Sequence, residues 1–399
     1  MSEFEVQCDS EKTLRFTDPP SSWRRIAPPK GIEDVLQAFT ESLKSPAEGP
    51  PLLDCLVPGD QIAIAVDHCI PQLPVLLKAL VELITEGGIP LENITLVTTS
   101  PQLQQQVGES VAGEVKWFVN QLDAEDDSVR YLASTTDGHR IYLAAPLVDA
   151  DLVIPMTLAR YEEMLGISGG TSQLYPQSAG YRAAERLYQE WHPELSPTDP
   201  HSVRQTSDEV GWLAGLTFAI YVLPGRDQSI AEFVTGLYET GYRAANQQLE
   251  DRYSWSSEGR IENVICRVQW QQTEDPWWKV MTTLMSAQRL VAKDGRIILL
   301  TELEGELPEP LRRLQLLQLP KLGKEDLAGM KAEEAFLLSR LIHILKWAQV
   351  SLYSKLDAEL VEELFLSPLT TTEEVRKLME TLDEVICVTD ADMLHLTCE

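Results

Sequence analysis

Hydrophobic positions in this chain fall into two alternating spacings. Asp60-Gln61-Ile62-Ala63-Ile64-Ala65-Val66-Asp67 is a short apolar run closed by an acid, the pattern of a strand buried on both faces. Pro74–Glu86 changes period: Val75, Leu76, Leu80, Leu83 and Ile84 recur at helical spacing, and Gly87-Gly88 stops the run. Ile94–Thr99 is a second buried strand. Strand, helix and strand in this order predict a βαβ unit of a parallel sheet. Ligands of such sheets sit beyond the carboxyl ends of the strands. That rule places Asp67, His68 and Cys69 in a candidate site, together with Thr98 through Gln102.

The same reading extends along the chain. Residues 1–30 are polar and proline-bearing, with one strand predicted at Thr13–Thr17, and 31–44 read as a helix through Ile32, Val35, Leu36, Phe39 and Leu43. A hairpin is expected around Thr136-Asp137-Gly138-His139, a buried strand at Asp151–Pro155, and a helix over 178–191. Residues 194–208 read as a polar loop, Val210–Leu223 as a strand region clearest at Phe218–Leu223, and Ile230–Leu249 as a helix. Residues 250–260 lack an apolar period, which sets a boundary between domains at 1–255 and 256–399. Beyond it come a strand (Val264–Val268), a helix (Trp277–Ala292) and a strand (Arg296–Leu300). Helical patterns over 311–346 follow, then strands at Gln349–Tyr353 and Val385–Val388 around a helix at Thr372–Leu382. The fold class is therefore α/β, two domains, each a mainly parallel sheet flanked by helices.

Composition narrows the functions open to such a fold. The 399 residues carry 62 acidic and 33 basic side chains, a formal net charge of −29. Nucleic-acid binding rests on Lys and Arg at phosphates, so no nucleic-acid partner is expected. An anionic membrane surface is disfavoured for the same reason. The apolar runs are shorter than the ~20 residues of a membrane span, and Met1-Ser2-Glu3-Phe4-Glu5 does not have a signal peptide's layout. The expectation is a soluble cytoplasmic protein. Its six cysteines (Cys8, Cys55, Cys69, Cys266, Cys387, Cys398) are scattered without a CxxC pair, as reduced thiols in or near strands would be.

Several residue groups have both a chemical and a plainer reading. Asp67-His68-Cys69 offers oxygen, nitrogen and sulfur donors in succession, but adjacent residues seldom converge on one ion, and a loop with a structural aspartate is the plainer reading. Glu162 and Glu163 could act with Asp67 as acid and base, or lie on a solvated face. Gly166-Ile167-Ser168-Gly169-Gly170-Thr171-Ser172 either offers backbone N–H groups to an anion or is a tight turn that needs positive φ. Arg182 and Arg186 either face that anion or form part of an exposed charged helix face. Trp277-Trp278 reads as packing.

The order of these segments resembles the lactate racemase family. The resemblance is carried by Pro58–Asp67, Asp151–Ile154, Gly166–Gly170, Asp208-Glu209-Val210-Gly211 and Lys293–Leu299, and it runs over about residues 30–395. It implies a ligand cleft between the two domains. It also implies a nickel-pincer nucleotide cofactor and racemisation or epimerisation of a 2-hydroxy acid by hydride transfer to the cofactor and back. Such chemistry needs a base on each face of the reacting carbon, a cation on the substrate carboxylate and a held cofactor.

The family's motif residues are replaced in this chain. Its Asp-x-Thr-Arg-Pro, whose arginine binds the carboxylate, corresponds to Asp67-His68-Cys69-Ile70-Pro71. The catalytic histidine of its Gly-x-His-Arg corresponds to Gln102, and a histidine before the glycine turn corresponds to Glu162. The cofactor lysine of its Gly-Gly-Arg-Lys falls at Ser172, after Gly169 and Gly170. His192 stands nearest the family's nickel-ligating histidine, and a glutamine and a lysine near the substrate fall at about Lys279 and Thr282. The expectation is a lactate-racemase-like protein without nickel-pincer activity or bound cofactor, retaining a site for a small carboxylate or hydroxy acid. The alternative is an active isomerase using Asp67, Glu162, Lys279 or His192, and a third reading is a purely structural partner protein.

Overall fold

The computed structural model describes residues 3–107, 115–120, 128–190, 195–312 and 330–399. Contacts divide the chain into two compact units, Pro29–Arg252 with Gln271–Thr273, and Met1–Pro28 with Tyr253–Trp270 and Glu274–Glu399. The N-terminal segment is thus not part of a 1–255 domain. The Trp23–Ile26 strand pairs in parallel with Val385–Thr389, and the Glu3–Gln7/Thr13–Thr17 hairpin supplies Val6, Leu14 and Phe16 to the same core as Val385 and Met379. The polar prolines of 1–30 hid a stretch whose apolar residues find partners more than 300 positions away.

The Pro29–Arg252 unit is built on a six-stranded sheet. Its order is Ser229–Leu237, Phe218–Gly225, Leu152–Leu158, Ile62–Val66, Ile94–Thr98 and Lys116–Val119. Every neighbouring pair is parallel except the first, which is antiparallel. All five residues of Ile62–Val66 are buried, as the unbroken apolar run requires. The helix at Leu73–Glu86 covers the sheet with Leu73, Leu76, Leu77, Leu80, Val81, Leu83 and Ile84. Each such side chain contributes about 1.5–3 kcal/mol on leaving water. Gly88 then turns the chain at φ 92°.

Two expected elements are different in the structure. Residues 202–213 form a helix rather than the end of a loop and the start of a strand. Its buried stripe is Val203, Arg204, Thr206, Ser207, Val210 and Gly211, so the helical period is real but carried largely by polar residues. Ile230–Leu249 is not one helix: Ser229–Leu237 is a strand paired with Phe218–Gly225, and only Tyr238–Tyr253 is helical. The connecting turn puts Asp227 and Gln228 at φ 57° without a glycine, which removes the usual hairpin signal.

The other unit has an all-parallel sheet in the order Ser367–Leu369, Gln349–Tyr353, Val291–Leu300, Ile261–Arg267, Val385–Thr389 and Trp23–Ile26. The Pro276–Leu290 helix starts at Asp275, whose carboxylate accepts from the N–H groups of Trp277 and Trp278 at 2.8 and 3.1 Å. Trp278 packs on Phe336 with ring centroids 6.0 Å apart. Among the described residues no helix is long and apolar enough to cross a membrane. None of the six cysteines is in a disulfide, and burial pushes the Cys8 thiol up to about 11.

Candidate functional site

The Ile62–Val66 strand delivers Asp67 to the carboxyl end of the sheet, beside the end of Leu152–Leu158. The Asp67 N–H donates to the Met156 carbonyl at 2.9 Å. One carboxylate oxygen accepts the Cys69 N–H at 2.9 Å and the other accepts the Leu158 N–H at 3.1 Å. The aspartate therefore ties two strand ends together and folds the chain back on itself. The fold-back brings the ligand atoms of Asp67, His68 and Cys69 within 4.8 Å of one another, all three residues half-buried. The backbone behind them is braced from far along the sequence. Thr273 Oγ1 donates to the His68 carbonyl at 2.8 Å, and Gln271 Nε2 donates to the Cys69 carbonyl at 2.9 Å.

Glu162 reaches the same neighbourhood from the Arg160–Glu162/Gly166–Ser168 hairpin. Burial pushes its carboxyl above the usual carboxylate range. Arg160 opposes that rise, while the charges of Asp67 and Glu163 add to it. The structure thus brings Asp67 and Glu162 into electrostatic contact. Gln102 is exposed in the first turn of the Pro101–Val107 helix, where it accepts from Ser100 Oγ at 3.2 Å. Lys279 lies in the other unit, buried, with its ammonium 2.7 Å from Asp392 and 3.3 Å from Glu274. His192 falls outside the described residues.

Every polar group shown for the glycine turn is directed inward. Gly169 and Gly170 take φ 119° and 60°, the region glycine favours. The Gly169 N–H donates to Ser172 Oγ at 2.8 Å and the Gly170 N–H to Thr157 Oγ1 at 2.9 Å. Thr157 Oγ1 in turn donates to the Ile220 carbonyl at 3.3 Å. These two amides are engaged by hydroxyls of the protein, and the positive φ values fit the tight-turn reading. Gln173 Nε2 fastens the turn to the Val66 carbonyl at 3.0 Å. Arg182 is exposed and Arg186 pairs with Glu190, as on an ordinary charged helix face.

Sequence reasoning missed the residue that anchors this turn. Arg204 is buried and donates to the carbonyls of Ile167 and Gly169 at 3.1 and 3.0 Å. It pairs with Asp208 at 2.8 Å and stacks on the Tyr242 ring with its guanidinium carbon 3.8 Å from the centroid. Asp208 also accepts from Thr171 Oγ1 at 2.9 Å. The available signal is the i, i+4 pair Arg204/Asp208, on a helix whose polar sequence predicts a loop.

Ser172, where the resemblance places a cofactor lysine, is buried. No lysine occurs between Lys116 and Lys279. Ile70, where the resemblance places a carboxylate-binding arginine, is 0% exposed and packed in the sheet's core.

Residues 4–190 match the model of the lactate racemase N-terminal domain. No curated protein matches the sequence. Among solved structures, the lactate racemase apoprotein from Thermoanaerobacterium thermosaccharolyticum is similar over all of both chains, with a TM-score of 0.76 at 15% identity. A Thermotoga maritima protein of determined structure covers 93% of this chain with 100% of its own, with a TM-score of 0.68 at 12% identity. Residues 4–190 thus match the lactate racemase N-terminal domain, and the whole chain has the fold of a lactate racemase apoprotein.

Proposed function

We propose that this chain is a lactate-racemase-family protein that does not carry out nickel-pincer racemisation and uses the strand-end site around Asp67 and Glu162 to hold a small ligand. The observation that carries this reading is the closed hydrogen-bond ring of Gly169 and Ser172. A lysine-tethered cofactor needs an amine at that position, and the side chain there is a buried hydroxyl committed to its own turn. The residues present do not fit such a group. Two further requirements of the reaction are unmet in the same direction. Gln102 does not take up a proton near neutral pH, and Ile70 gives a substrate carboxylate no charge partner.

The electrostatics set what such a ligand requires. Asp67, Glu162 and Glu163 set a negative field at the strand ends, offset by Arg160. A carboxylate or hydroxy acid, the ligand class the resemblance implies, then needs a cation that the protein's own position 70 does not provide. A second reading, proton transfer between Glu162 and Asp67 on a hydroxylated substrate, draws on the raised Glu162 carboxyl. It predicts deuterium incorporation from heavy water into a hydroxy or sugar acid, abolished in Glu162→Gln.

The main reading is tested by producing the protein in cells that make the nickel-pincer nucleotide. The denatured chain is expected to have its unmodified mass, and the folded protein to leave D- and L-lactate unconverted. A covalent mass adduct accompanied by lactate interconversion would overturn it.

A further inference from the structure

We propose that Asp67, His68 and Cys69 form a binding site for a borderline-soft divalent cation of the zinc class. The three donors are a carboxylate oxygen, an imidazole nitrogen and a thiol sulfur, the set that Zn²⁺ and Co²⁺ take in proteins. Their mutual separations are all within 4.8 Å. Bonds of 2.0–2.3 Å in a tetrahedral site put ligand atoms about 3.3–3.8 Å apart, so closure onto an ion asks for a movement of about 1 Å. Consecutive residues normally point apart. Here the Asp67 carboxylate accepts the Cys69 N–H and folds the loop so that they converge. Each Asp67 oxygen accepts one backbone N–H, which leaves lone pairs for a cation, because a carboxylate has about four acceptor sites.

Two features beyond the donor set support the assignment. The main chain of the ligand loop is fixed from outside, by Thr273 on the His68 carbonyl and Gln271 on the Cys69 carbonyl. Outer partners of this kind orient ligands and raise affinity. The hairpin carrying Glu162 and Glu163 brings two further carboxyl groups into the neighbourhood of Asp67, with Arg160 as the opposing charge. Three protein ligands leave a fourth position for water or a ligand oxygen. This part deepens the proposed function and rests on it: the ion would supply the positive charge that a carboxylate ligand lacks at Ile70. Cation binding itself stands whether or not the chain racemises lactate.

The test is a Co²⁺ titration of the chelator-treated full chain. One equivalent is expected to bind with a thiolate-to-cobalt charge-transfer absorption. Cys69→Ser is expected to abolish that absorption, and Cys55→Ser to keep it. His68→Ala should weaken binding about 100-fold, and Thr273→Val about 10-fold, the range for loss of a ligand-orienting partner. Circular dichroism of each variant separates lost binding from lost folding, and His68→Ala carries the test if Cys69→Ser does not fold. Absence of the charge-transfer band in the unsubstituted protein, its survival in folded Cys69→Ser, or an affinity unmoved by His68→Ala would each overturn the proposal. Covalent mass and lactate conversion are not read here, so this failure is distinct from failure of the non-racemising reading.

Discussion

Two polar stretches follow buried strands of one sheet and serve opposite ends. The turn at Gly166–Gln173 directs its hydroxyls, amides and a distant arginine at its own backbone. The loop at Asp67–Cys69 also uses hydrogen bonds to hold its shape, but these hold the main chain and bring three donor side chains together. The first arrangement converts polar groups into rigidity. The second keeps three donor side chains half-buried and mutually close. The family resemblance draws attention to the turn, because the cofactor lysine belongs there. The physical chemistry draws it to the loop. If the contrast is sound, substitutions in the turn lower stability and substitutions in the loop change binding.

The largest expected effect is in the turn. A Cβ at Gly170 would sit 2.5 Å from the Tyr221 hydroxyl and 2.9 Å from its ring, at a φ of 60°. Tyr221 is buried and donates to the Tyr238 carbonyl at 2.6 Å, so it has little freedom to retreat. Gly170→Ala should cost about 3–4 kcal/mol in urea unfolding, combining an imposed clash with backbone strain. Arg204→Lys comes next, at about 2–3 kcal/mol. An ammonium does not reproduce the forked donation to two carbonyls, the Asp208 pair and the stack on Tyr242 together. A loss below about 0.5 kcal/mol for either would break the comparison from the turn's side.

The contrast also explains which parts were readable from sequence. Ile62–Val66 and Leu73–Glu86 declare themselves because burial on both faces demands an unbroken apolar run, and burial on one face a helical stripe. The 202–213 helix is buried through Arg204, Thr206 and Ser207, whose hydrogen bonds and ring stacking replace apolar side chains, so its period is invisible to a hydrophobicity reading. Trp23–Ile26 joins a sheet assembled mostly from the last third of the chain, and no local pattern encodes that pairing. At the site, Asp67 was legible as an acid at a strand end. Its partners were not: Gln271 and Thr273 lie more than 200 residues downstream and carry no motif. Glycines 169 and 170 were legible as a turn, but the engagement of their amides depends on Thr157 and Ser172 hydroxyl positions that only the fold sets.

Substitutions in the loop sharpen the other side. Asp67→Asn keeps one oxygen acceptor and places an amide where the second backbone N–H donated. It should cost about 1–2 kcal/mol, less than either turn variant, while removing an anionic ligand from the proposed cation site. The informative quantity is the ratio: a small change in urea midpoint with a large change in Co²⁺ affinity is the signature expected of a loop built to bind. His68→Ala, at a half-buried position, should move stability by less than about 0.5 kcal/mol.

The smallest effect has the opposite sign. Burial, reinforced by Asp67 and Glu163, raises the Glu162 carboxyl in the folded state above its value in the unfolded chain. Between those two values the folded protein holds the proton more tightly, so stability falls as pH rises through that window. Below it both states are protonated and the contribution is fully present. Above it both are ionised and the folded state bears an unfavourable charge. Glu162→Gln, neutral at every pH, should therefore match the parent in acid and exceed it at neutral pH in metal-free protein, with thermal midpoints measured across the range. Adding saturating Zn²⁺ should shrink the difference, because a cation beside Asp67 stabilises the ionised carboxylate that the substitution removes. A gap that is the same with and without the ion would separate Glu162 from the loop and leave the two stretches unconnected.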